Sequence, residues 1–95
     1  MGIVMMDLET LEEARKFVAN AEQLLFTGCF NESTVRFDLS TRRSKRSKYI
    51  EYYNKFISDH RAISNAVQIQ DAELAKRSKK CQNEASRLLD IVYSY

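Results

Sequence analysis

The chain has 95 residues, 44% apolar and 29% charged, with 15 basic against 13 acidic residues and a formal net charge of +2. That length supports one domain over residues 1–95, and the apolar fraction excludes a disordered tail. No run approaches the roughly 18 apolar residues of a membrane-spanning helix, and two glycines with no proline are too few for the turns of an all-β sandwich.

At the N-terminus, Ile3-Val4-Met5-Met6 is too short an apolar run for a secretory signal, and acidic residues follow where a small-residue cleavage site would stand. Gly2 fits an N-myristoylation pattern only until Met6, which holds the place of Ser or Thr. Cys29 and Cys81, with a single histidine in the chain, make neither a disulfide framework nor a zinc site. No metal or cofactor is expected, and a reducing, cytoplasmic setting is.

The first element is a helix over about residues 8–27. Leu11, Ala14, Val18, Ala21 and Leu25 recur at steps of three and four, and Phe17 and Leu24 widen the stripe. Thr10 and Glu13 have capping-box spacing, with Asp7 as a rival N-cap and Met6 and Leu11 as its hydrophobic staple. Gly28 suits the left-handed residue that closes a helix.

Residues 30–41 carry two patterns. Val35, Phe37 and Leu39 alternate like a half-buried strand, whose one available partner is the short Ile3–Met6 run. Val35 and Leu39 are also at i, i+4 spacing behind Asn31 or Ser33 as N-cap, and helix is the reading preferred here.

From Tyr49 one seam runs through Tyr53, Phe56, His60, Ile63 and Val67, then on to Tyr95 at three- or four-residue steps. A single helix over 40–95 would be roughly 84 Å long at 1.5 Å per residue, which calls for a break or an oligomer. Ser58, Asp59 and Ser64 are competent N-caps and place the break within 58–65. The expected fold is therefore all-α, an antiparallel bundle of about three helices near 8–27, 33–58 and 62–94. Leu74, Cys81, Leu88 and Tyr95 repeat every seven residues, and Val92 lies on the interleaved row. Those five residues are the expected homo-oligomer interface.

Charge is divided along the chain. Residues 1–38 hold seven acids and three bases, whereas residues 39–95 hold six acids and twelve bases. Arg42, Arg43, Lys45, Arg46 and Lys48 form the densest basic segment, a candidate contact for phosphate or for an acidic partner. Tyr52 lies off the core stripe and is the aromatic placed to stack on an unpaired base. Lys76 to Lys80 read as a solvated helix face. His60 falls on the seam with no nucleophile or metal partner in sight, and packing explains it. Cys81 reads as a buried hydrophobe and Cys29 as the exposed thiol.

No phosphate loop, ligand spacing or nucleophile–base pair points to an enzyme. The expected function is a non-catalytic inhibitor, adaptor or assembly factor acting through protein–protein contacts, without membrane association. Its rival is a nucleic-acid-binding module using the Arg42–Lys48 face.

Overall fold

The structure, a computed structural model, describes residues 7–95. These form four α-helices: α1 (Leu8–Phe26), α2 (Glu32–Thr41), α3 (Arg46–Val67) and α4 (Ala72–Tyr93). A single 3₁₀ turn, Arg43–Lys45, lies between α2 and α3. The all-α class stands, with four helices in place of about three and no strand among the described residues. The expectations that involve Ile3 to Met6 lie outside the described residues.

α1 starts at Asp7, not at the Thr10 capping box. The Asp7 carboxylate accepts from Thr10 N at 2.7 Å, and this bond holds its pKa below the usual carboxylate range. An N-cap carboxylate satisfies an orphan donor and faces the positive end of the helix dipole together. At the other end Thr27 caps the helix, its N–H and hydroxyl both donating to Gln23 O at 3.1 Å. Gly28 is not left-handed, since no described glycine has a positive φ. Its role is close approach: a Cβ there would lie 2.9 Å from Gln23 O and 3.0 Å from Leu24 Cα.

Residues 32–41 are helical. Asn31 caps α2 by accepting from Thr34 N at 2.9 Å, and Val35 and Leu39 are buried one turn apart. Phe37, which the strand pattern would bury beside them, is 68% exposed. The helix expected over 33–58 is interrupted at Arg42, whose backbone is extended at φ −140°. Just before it, the Ser40 and Thr41 hydroxyls bond back to carbonyls at Phe37 and Asp38, a local competition that ends helices without proline or glycine.

The expected break within 58–65 does not occur. α3 runs on to Val67, and Ser64 turns its hydroxyl onto Arg61 O at 3.1 Å instead of capping a new helix. The chain reverses one turn later, where Asp71 caps α4 by accepting from Leu74 N at 3.0 Å. Asp71 also binds Arg15 of α1 at 3.1 Å and donates its N–H to Val67 O of α3 at 2.8 Å, so it joins three helices.

α3 and α4 form the principal pair. The seam residues Leu74, Cys81, Leu88 and Val92 are each at most 1% exposed, packed against α1, α2 and α3 of the same chain. The interface expected from them is thereby corrected: the surface lies inside one molecule, and of the five only Tyr95 is partly exposed. Sequence periodicity registers that a face is covered, without saying by what. Near one end of the pair, Tyr53 is fully buried and donates its hydroxyl to Phe30 O at 2.5 Å.

Leu88→Ala should therefore lower unfolding free energy by about 2–5 kcal/mol in urea titration, while Phe37→Ala should stay within about 0.5 kcal/mol of wild type. Equal small effects at both positions would refute the internal seam.

Candidate functional site

The basic segment does not stand free. Arg43 Nη2 donates to Tyr95 O at 2.6 Å, and Arg46 reaches Val92 O and Tyr93 O at 3.3 and 3.4 Å. Val92 and Tyr93 lie in the last turn of α4 and Tyr95 just beyond it, in the negative field of the helix dipole. Arg46 also lies over the Tyr93 ring, 5.7 Å from its centroid. Lys45 pairs with Asp38 at 3.4 Å, and Tyr49 donates its hydroxyl to the same carboxylate. Lys48 lies 5.8 Å from the Tyr52 ring centroid. Arg42 remains exposed. The segment thus ties α2 and α3 to the end of α4.

Tyr52 has a different neighbour from the one its sequence position suggested. Its ring meets Phe30 edge-on at 4.9 Å, on one wall of a groove between α1 and α3. The groove exists because α1 packs along α4 more closely than along α3. Phe17 enters it from α1, Phe30 from the loop after α1, and Tyr52 and Phe56 from α3. The cavity measures about 230 Å³, with Lys55 and Asp59 as its charged groups. Phe30 is held in place by its own backbone, which donates to Leu24 O at 3.0 Å. Phe17 is 42% exposed and Tyr52 39%, so two rings of the groove face solvent.

Beside the groove lies His60, fully buried, 5.3 Å from the Phe17 ring and stacked on Phe56 at 6.1 Å. Ser78 of α4 donates its hydroxyl proton to His60 O at 3.0 Å. Its oxygen is then the acceptor for His60 Nδ1–H, also at 3.0 Å. That assigns the tautomer and leaves Nε2 a bare acceptor, with no partner among the described residues. The pair resembles a nucleophile and its base only in residue type. The serine proton points at a carbonyl, both side chains are sealed from solvent, and the arrangement ties α3 to α4. Burial lowers the His60 pKa, against an opposing pull from Asp59 and Glu22.

Cys81 is buried, and burial pushes its thiol up to about 11. Cys29 is exposed. No group of three or more His, Cys, Asp or Glu able to hold a metal ion is present among the described residues. Phe17 and Phe56 were missed as site residues by sequence reasoning because their spacing places them with the core, and Phe30 because it falls on no stripe. The signal available was that Phe17 and Leu24 lie at the edge of the α1 stripe. Comparison with protein-family models, curated proteins and solved structures returned no match.

Two outcomes follow from this geometry. Replacing Arg43 and Arg46 with Ala should destabilise the fold by roughly 0.5–1 kcal/mol in urea titration, through lost capping of α4; unchanged stability would show those carbonyl contacts to be incidental. The second concerns pH. As pH falls below the ordinary histidine value of 6.5, the unfolded chain gains a proton that folded His60 refuses. Stability should be level above pH 6.5 and decline on acidification through the window above the carboxylate range. His60→Gln should remove that part of the slope, and an identical slope in both proteins would assign it to other groups.

Proposed function

We propose that this protein is a non-catalytic binding protein whose partner is another protein, held in the aromatic groove between α1 and α3. One observation carries the reading: a bounded cavity lined by four aromatic rings, two of them open to solvent, on a molecule whose other large apolar side chains mostly pack inward. Aromatic side chains with one exposed edge supply most of the binding free energy at protein interfaces.

The occupant that suits the groove is an amphipathic helix. From Phe17 to Leu24 the α1 wall extends about 10 Å at 1.5 Å per residue, which is two turns of a partner helix. Two apolar anchors at i and i+4 would enter between Phe17, Phe30 and Phe56, while Lys55 and Asp59 would pair with charges of opposite sign beside them. Self-association loses its motive once the α4 seam is internal, so the partner is taken as a different protein. An inhibitor, adaptor or assembly factor works in this way, by covering a helix of its target.

The test is affinity capture from the native source with wild type and with a Phe17→Asp, Tyr52→Asp variant of unchanged circular dichroism. A protein retained by wild type at about 0.5 M salt, where surface charge is screened within a few ångströms, and lost with the variant supports the groove. Equal retention by both proteins would place the contact elsewhere.

A further inference from the structure

We propose that a second cleft, between α3 and α4 on the surface α1 does not cover, binds a small polyphosphate anion. Arg61, Ser64 and Asn65 line it from α3, Gln68 from the cap that follows, and Lys76, Lys79 and Gln82 from α4. Ala72 and Ala75, too small to fill the space, leave a cavity of about 530 Å³. No carboxylate and no α1 residue is among the lining groups.

The partners of the other cations make this cleft distinct. Arg15, Arg36, Arg77 and Arg87 each bind a carboxylate, and Arg43 and Arg46 bind carbonyls. Arg61 and Lys79 have no acidic partner within 4.0 Å among the described residues. Lys76 has only Glu73, at 3.7 Å, with both side chains more than three-quarters exposed, an attachment that surface pairs of this kind surrender readily. What sets the cleft apart is that one guanidinium and two ammonium groups line a single concavity in which no carboxylate stands.

The side chains around them fit phosphate chemistry. A guanidinium offers a planar fork to phosphate oxygens, and the ammonium groups add point charges from the facing helix. Asn65, Gln68 and Gln82 bring amide N–H donors for further phosphate oxygens and amide oxygens for hydroxyl groups. The cations stand on both walls, Arg61 on α3 and Lys76 and Lys79 on α4, and a ligand carrying several phosphate groups presents charge to both walls at once, which selects for a polyphosphate.

A single-stranded nucleic acid fits less well, because no aromatic ring lines the cleft to hold an unstacked base and the charge is confined to one short concavity. The sequence assigned this same chemistry to Arg42–Lys48. The tertiary structure commits three of those five residues to α4 carbonyls and Asp38, and places a better set on another face.

The test is an NMR titration of backbone amides with inorganic tripolyphosphate, at ionic strengths of about 10 mM and about 150 mM, between which the screening length falls from about 30 Å to about 8 Å. Shifts confined to residues 61–68 and 76–82, with submillimolar affinity at low salt and at least about tenfold weakening at the higher, are expected. Arg61→Gln with Lys79→Gln should weaken binding about tenfold or more with circular dichroism unchanged, and Arg42→Gln with Lys48→Gln should leave it intact. Shifts centred on 42–48, equal loss from the control pair, or no shift at about 1 mM ligand would overturn the proposal. So would an oligouridine that binds more tightly than tripolyphosphate, which would assign the surface to nucleic acid. None of these results bears on the α1–α3 groove, whose lining shares no residue with this cleft.

Discussion

The close approach of α3 to α4 is the contact on which the rest of the molecule is arranged. Along its middle, α4 presents Ser78, Cys81 and Ala85, all fully buried and all small. Small side chains let two helix backbones come near but contribute little apolar area, so the middle of the pair is fastened by polar bonds instead. His60 and Ser78 bond each other twice there, once through the imidazole and once through a backbone carbonyl. Larger residues fill the two ends: Leu88, Val92 and Tyr53 at one, and Leu74 and Val67 at the other. The His60 Nδ1–H and the Ser78 hydroxyl find their partners in one register, and this is how the buried pair specifies that register, although Nε2 has no partner among the described residues.

With α3 and α4 paired, α1 has one long face left to cover, and it lies chiefly along α4. Three ion pairs fix its position and that of α2: Arg15 with Asp71, Arg77 with Glu22, and Arg87 with Glu32. Each joins an N-terminal element to α4 or its cap. Arg77 draws the Glu22 pKa down, and Arg87 does the same to Glu32. The uneven charge of the chain is thus partly matched within the molecule, acidic first half against basic second half. Because these pairs are partly solvated, they set orientation more than they add stability.

The two concavities are consequences of this packing. α1 leans on α4 and leaves the α3 side of its stripe uncovered, which exposes an aromatic groove. Away from α1, where no third helix among the described residues lines the α3–α4 pair, a polar, cation-lined cleft is left. One is apolar and bounded by rings; the other has no ring and no acid. Their separation lets the protein present two chemically unlike surfaces at once.

The helical stripes were legible in the sequence. Leu11, Ala14, Val18, Ala21 and Leu25 are the buried residues of α1, and Tyr49, Tyr53, His60 and Val67 those of α3. Asn31, Asp7 and Asp71 act on donors three residues away, so caps of this kind are fixed locally, even where Ser58, Asp59 and Ser64 offered equally good candidates. Which candidate is used depends on where the chain must turn to bury its stripe, and that is a property of the packed molecule. The same holds for the cations. Arg43 and Lys79 are indistinguishable as basic residues in a basic run, yet one meets a carbonyl 52 residues away and the other meets solvent. Periodicity, capping and composition act over one or two turns of chain and are written in the sequence. The partners of α4, the open side of α1 and the availability of each charge depend on contacts between distant residues, and only the tertiary structure decides them.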